Sequence, residues 1–244
     1  MSRFGLLGKH IDYSFSRSYF SKKFERHGMS HTYENFDMES IVGFREFIQT
    51  NQDLRGLNVT IPYKEKIIPF LDHLNPTAKM IGAVNTIKFL PNGELKGFNT
   101  DAFGFRESLT PLLLPYHKRA LILGTGGASK AIRYVLDELR IPYTSVSRGS
   151  KHNKYLTYSD LNKNIISDHQ IIINCTPLGT YPNVDRCPEI PYEHLKAGHL
   201  LYDLVYNPEI TGFMREGIKN GTTVINGLSM LKFQAEKSWS IWMS

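Results

Sequence analysis

The chain has 244 residues, 41% of them hydrophobic and 21% charged, which suits one large globular domain or two modest ones. No apolar run approaches the roughly 18 residues of a membrane-spanning helix, and the opening MSRFGLLGKHIDYSFS lacks a signal-peptide core, so a cytoplasmic protein with no membrane partner is expected. The net charge of +6 comes from 29 basic and 23 acidic residues with no basic run of five or more, a pattern that speaks against nucleic acid and for a mildly positive surface suited to small anions.

Along the chain, residues 3–8 (RFGLLG) read as a short apolar strand. Tyr19, Phe20 and Phe24 recur at helical spacing over 17–28, with Gly28 as the stop. Ile41, Phe44 and Ile48 mark a second helix over 39–51, and 54–60 (LRGLNVT) is the next strand. Residues 84–99 form a hairpin around Pro91-Asn92-Gly93. From 119 the pattern becomes strand, glycine turn, helix, strand, and further apolar strands follow at 170–177 and 200–208. Such runs with helices between them imply a parallel sheet covered on both faces. A helix over 211–221, a short strand over 222–226 and an apolar-rich helix over 228–242 complete the chain. Domain boundaries are expected at 101 and near 227, with the terminal helix (228–244) serving the first domain.

LILGTGGAS places Gly124, Gly126 and Gly127 between a strand and a helix, with Ala128 and Ser129 following. A tight turn needs the first glycine, close approach of a pyrophosphate needs the second, and the helix N-terminus offers free N–H groups. The next strand ends TSVSR, with Ser147 and Arg148 where an NAD site usually carries an acid. A carboxylate would repel a 2′-phosphate, whereas a guanidinium binds one in a fork, so NADP is expected over NAD. Cys175 and Cys187 form neither a framework nor a CxxC pair, and the nine histidines form no cluster, so no metal is expected.

The first hundred residues collect polar side chains at strand ends. Asn58 and Thr60 share one face of a strand end, with Lys64 just beyond; Ser14 and Ser16 repeat the spacing; Asn85 and Asp101 follow. Each has a plainer reading alone. Ser16 and Asp101 could cap helices, Asn85 could bond its own backbone, and Lys64 and Arg148 could be solvated surface charges.

Taken together, the chain resembles the shikimate dehydrogenases over nearly its whole length. The likeness rests on Ser14-Phe15-Ser16, on Asn58 to Lys64 as N-x-T-x-P-x-K, on GAVNT (82–86), on G-x-N-T-D-x-x-G (97–104), on DLVYNP (203–208) and on NGLSMLKFQA (226–235). The resemblance implies an α/β protein: an N-terminal α/β substrate domain plus a Rossmann-like doubly wound NADP domain, with a cleft between them. It implies reversible NADPH-dependent reduction of 3-dehydroshikimate to shikimate in aromatic amino-acid synthesis, by a monomer or homodimer. Ser14 and Ser16 would hold the carboxylate; Asn58, Thr60, Asn85, Asp101 and Gln234 the ring hydroxyls; Tyr206 would border the pocket. Lys64 and Asp101 would form the catalytic pair. Thr176, Gly227 and Met230 would join Gly124, Gly126, Gly127, Ala128, Ser147 and Arg148 at the cofactor. Two departures stand out: Arg17 follows S-x-S where proline is common, and one arginine of the usual N-R-T-x-x-R clamp is missing unless Lys151 replaces it. The competing readings are an NAD-preferring quinate/shikimate dehydrogenase and a non-catalytic shikimate-binding relative.

Overall fold

The computed structural model describes residues 2–11, 14–149 and 155–244. In chain order the elements are β1 (Arg3–Gly8), α1 (Phe15–Arg26), β2 (Thr32–Asp37), α2 (Phe44–Thr50), β3 (Leu54–Val59), β4 (His73–Leu74), α3 (Pro76–Ile81), β5 (Thr86–Phe89), β6 (Leu95–Phe98) and α4 (Asp101–Leu109). They continue as β7 (Ala120–Leu123), α5 (Gly127–Glu138), β8 (Tyr143–Ser147), β9 (Leu156–Thr157), α6 (Lys163–Asp168), β10 (Ile171–Asn174), β11 (Leu200–Asp203), α7 (Gly212–Lys219), β12 (Thr223–Ile225) and α8 (Leu228–Met243). The chain forms two compact units, Met1–Phe103 with Gln234–Ser244, and Gly104–Phe233. Both changes of unit fall inside a helix, the first in α4 and the second in α8, so only the last eleven residues of the chain, not the whole terminal helix, join the first unit.

The first unit is built on a mixed sheet of order β2-β1-β3-β5-β6-β4. β2, β1 and β3 run parallel, β5 runs against β3, and β6 runs against β5. Side chains alternate across a strand, and β1 uses both faces. Phe4 and Leu6 pack with Phe20 and Phe24 of α1 and Trp242 of α8. Leu7 faces a second core with Phe44, Leu54 and Leu57. Gly5 between them leaves space for the Phe36 ring, which a Cβ there would overlap. β2 was not foreseen: TYENFD is a polar edge strand with one buried aromatic, Tyr33, and edge strands carry weak hydrophobic patterning. The helix expected over 39–51 is a 3₁₀ turn at Ile41–Gly43 that runs into α2. The predicted hairpin is present, and Gly93 supplies the positive φ of its turn.

The second unit holds an all-parallel sheet of order β12-β11-β10-β7-β8-β9. β7, β10 and β11 carry ALIL, IIIN and LLYD, all of them buried, whereas β8 (YTSVS) is polar at its ends and buries only Ser145 and Val146. From β7 the chain runs outward through β8 to β9 on one side and through β10 to β12 on the other. This is a doubly wound sheet, as the resemblance implies, and its switch point lies between β7 and β10.

Candidate active site

The first sheet gathers its polar residues at one edge. Ser14 and Ser16 follow the carboxyl end of β1, and Thr60 and Lys64 follow that of the parallel strand β3. β5 runs the other way, so Asn85, just before its start, comes to the same edge. β6 again reverses, and Thr100 and Asp101 follow its end.

Lys64 and Asp101 meet there. The Lys64 ammonium donates to Asp101 Oδ2 at 2.7 Å, with the two side chains only 17% and 10% exposed. The main chain at Lys64 is held by the Val84 N–H, which donates to the Lys64 carbonyl at 2.7 Å. Asn85 Nδ2 donates to the other carboxylate oxygen, Asp101 Oδ1, at 2.9 Å. Asn85 is itself oriented by Thr100, whose N–H donates to Asn85 Oδ1 at 2.7 Å and whose hydroxyl lies 3.0 Å from Nδ2. The reversed amide would turn its oxygen toward the carboxylate and its hydrogens toward an N–H. Asp101 opens α4, where a carboxylate is favoured by the helix dipole.

The capping roles fall on neighbours of the residues considered for them. Ser14, not Ser16, caps α1, accepting from the Arg17 N–H at 3.2 Å. Asn99, not Asp101, accepts from the first turn of α4, at the Ala102 N–H. Asn85 is not turned onto its own backbone. Thr60 donates its N–H to the Leu7 carbonyl, and its methyl fills the space a Cβ on Gly8 would need.

A buried polar network extends from Asn85. Gln234 Oε1 lies 3.4 Å from Asn85 Nδ2 and 3.3 Å from the Thr100 hydroxyl. Ser238, one turn further along α8, donates to the Gln234 carbonyl at 2.9 Å and lies 2.8 Å from the Thr86 hydroxyl. Asn58 Nδ2 donates toward Ser238 Oγ at 3.0 Å, Thr86 Oγ1 at 3.2 Å and the Asn85 carbonyl at 3.2 Å. Its Oδ1 accepts from the Tyr33 hydroxyl at 2.8 Å, and Ser16 interacts with that phenol. The structure thus joins Lys64, Asp101, Asn85, Gln234, Asn58 and Ser16, while Ser14 and Thr60 share the edge through the contacts above. Sequence reasoning missed Tyr33, Thr86, Thr100 and Ser238. Thr86 and Thr100 lie inside blocks quoted for the resemblance, and Ser238 stands four residues after Gln234, on the same helix face. Tyr33 left no signal, because its strand was not expected.

In the second unit the glycine turn lies at the carboxyl end of β7. Gly124 has φ +103°, a backbone that side chains rarely adopt. Gly126 is exposed, caps α5 without a side chain, and has open space where a Cβ would stand. Gly127 and Ala128 open this twelve-residue helix, so its first N–H groups face outward uncapped. Ser129, in the place of a third glycine, is buried and donates to the Gly126 carbonyl at 2.7 Å, which tightens the turn. Thr176 follows β10, across the switch point, and packs its methyl against Gly124. Asn174 fixes Thr176 by accepting from its hydroxyl at 2.6 Å, and it donates to Asp203 at 2.9 Å. Burial pushes the Asp203 carboxyl up to about 6, against donors from Thr211, Val205 and Asn174.

Ser147 ends β8, and Arg148 stands exposed beside it with no acid at the strand end. These residues fit a dinucleotide with a 2′-phosphate: an uncapped helix N-terminus for the pyrophosphate and an exposed guanidinium one strand away. Lys151 lies outside the described residues. Tyr206 is half-buried after β11. Gly227 directly precedes α8, where a Cβ would overlap the Leu204 carbonyl oxygen, and Met230 is buried one turn on. Among the described residues no group of three or more His, Cys, Asp or Glu could hold a metal ion.

Comparison with known proteins agrees with this geometry. Residues 6–87 match the family model described as the shikimate dehydrogenase substrate binding domain. The shikimate dehydrogenase (NADP(+)) of Methanococcus maripaludis is 35% identical over 257 residues, covering 98% of this chain and 90% of that protein. That of Desulforamulus reducens is 34% identical over 263 residues, with coverage of 98% and 88%. The solved structure of shikimate 5-dehydrogenase from Thermus thermophilus, in complex with NADP(H) and shikimate, superposes with a TM-score of 0.87 at 30% identity, covering 99% of this chain and 93% of the other. A full-length match of this kind, on top of a polar sheet edge and a glycine turn at a doubly wound switch point, means that the chain belongs to the shikimate dehydrogenase family.

Proposed function

We propose that this enzyme interconverts 3-dehydroshikimate and shikimate with NADP(H), the oxidoreductase step of aromatic amino-acid synthesis. The observation that carries the reading is the Lys64–Asp101 ion pair, with Asn85 on the second carboxylate oxygen. Shikimate is a small ring acid with three hydroxyls, and such a ligand needs many neutral hydrogen-bonding groups, because buried unpaired polar atoms are costly.

In the proposed roles, Ser14 and Ser16 hold the carboxylate. Asn58, Thr60, Asn85, Asp101 and Gln234 take the hydroxyls, and Tyr206 borders the ligand. NADPH, held by Gly124, Gly126, Gly127, Ala128, Ser147, Arg148, Thr176, Gly227 and Met230, supplies a hydride when bound. Reduction of the ketone develops charge on its oxygen, and the Lys64 ammonium stabilises that charge and hands over a proton. Asp101 fixes the ammonium, and Asn85 fixes Asp101. In the reverse direction Lys64 takes the proton back.

Initial rates with NADP⁺ and NAD⁺, each on shikimate and on quinate, test the reading. The highest kcat/KM is expected for shikimate with NADP⁺. Faster turnover of quinate with NAD⁺ would contradict it.

A further inference from the structure

Tyr33 is a buried residue of the first unit to which the reading above gives no role. Its strand β2 is the polar edge of the sheet, yet its ring is only 5% exposed and stacks on Phe20 with centroids 4.7 Å apart. The hydroxyl is directed at one atom, Asn58 Oδ1, at 2.8 Å.

Donor bookkeeping fixes the direction of that bond. The Asn58 amide has two hydrogens and one oxygen. One side of the amide faces the Asn85 main-chain carbonyl at 3.2 Å, and a carbonyl can only accept. Nδ2 therefore lies on that side, with Ser238 and Thr86 as its other partners. Ser238 spends its own hydrogen on the Gln234 carbonyl, so it receives Asn58 rather than donating to it. Both amide hydrogens are thus used inside the protein. Oδ1 faces Tyr33, and Tyr33 must be the donor. Burial pushes the phenol's ionisation upward, which keeps it a donor across the ordinary pH range.

The consequence concerns what Asn58 offers a ligand. With Nδ2 consumed, its free capacity is the second lone pair of Oδ1. We propose that Tyr33 is a positioning residue for substrate binding: its hydroxyl holds the Asn58 carbonyl oxygen so that Asn58 meets a ring hydroxyl as an acceptor. The inference rests on Asn58 being a substrate contact.

Tyr33→Phe removes the hydroxyl and keeps the ring. It is expected to raise the KM for shikimate roughly three- to tenfold, the effect of one buried hydrogen bond. The KM for NADP⁺ and kcat at saturating shikimate are expected to stay within about twofold. A purely structural role would lower the unfolding midpoint and leave the KM for shikimate unchanged, and that result overturns the proposal. A double-mutant cycle with Asn58→Ala completes the test. If Tyr33 acts through Asn58, Tyr33→Phe adds nothing to the KM once Asn58 is alanine; multiplicative effects overturn the proposal. Asn58→Ala alone separates the two layers. An unchanged KM there removes Asn58 from the substrate site and this inference with it. A raised KM with a silent Tyr33→Phe removes the inference only.

Discussion

Arg148 is the single side chain on which the proposed choice of cofactor turns. It follows the last residue of β8, exposed, at a strand end that carries no carboxylate. An acid there would bond ribose hydroxyls and repel a 2′-phosphate; a guanidinium does the reverse. Arg148→Ala is therefore expected to raise the KM for NADP⁺ roughly ten- to hundredfold, the range for a lost charged hydrogen bond, while the KM for NAD⁺ moves less than about threefold. Equal losses with both cofactors would show that Arg148 does not read the 2′-phosphate. Asn85 makes a different point at the same scale. Its amide is clamped at both ends by Thr100 before it reaches Asp101. The residue beside a catalytic candidate can thus set the direction in which that candidate's partner donates.

Helices and strands explain why such residues converge. The first sheet reverses twice, at β5 and β6: β5 starts at the edge where β1 and β3 end, and β6 returns the chain to it. α8 adds Gln234 and Ser238, held by Trp242, whose indole N–H donates to the Ile87 carbonyl at 3.0 Å, and by Glu236, which pairs with Lys23 of α1 at 2.6 Å. The start of α8 is fixed by Gly227, whose N–H donates to the Val205 carbonyl at 3.0 Å and whose missing side chain lets the Leu204 carbonyl approach. Backbone cannot yield as a flexible side chain can. Gly227→Ala is therefore expected to destabilise the protein by about 2–3 kcal/mol, seen as a lower urea midpoint with unchanged slope. A wild-type midpoint would show that the junction between β11 and α8 relaxes freely.

Across the whole molecule, the doubly wound half was the more legible. Its central strands β7, β10 and β11 are short apolar runs, and a glycine turn between a strand and a helix narrows the choice further. The first half was harder to read because β2 is a polar edge strand with no clean period, although the spacing of Ile41, Phe44 and Ile48 did mark α2 and the 3₁₀ turn before it. Single polar residues were ambiguous for a physical reason: caps, turns and ligand contacts use the same amides and hydroxyls. Only the joint pattern from Ser14 to Gln234 separated them, and even that pattern passed over Tyr33, Thr86, Thr100 and Ser238, whose importance lies in three-dimensional bonding rather than spacing. The account as a whole rests on the ammonium of Lys64 acting at the reacting oxygen. Its most direct test is Lys64→Ala, assayed by reduction of NADP⁺ with shikimate and, separately, by calorimetric titration of shikimate. Turnover is expected to fall by ~10²–10⁴, the range for acid–base groups, while shikimate still binds. Wild-type turnover in this variant would contradict the account.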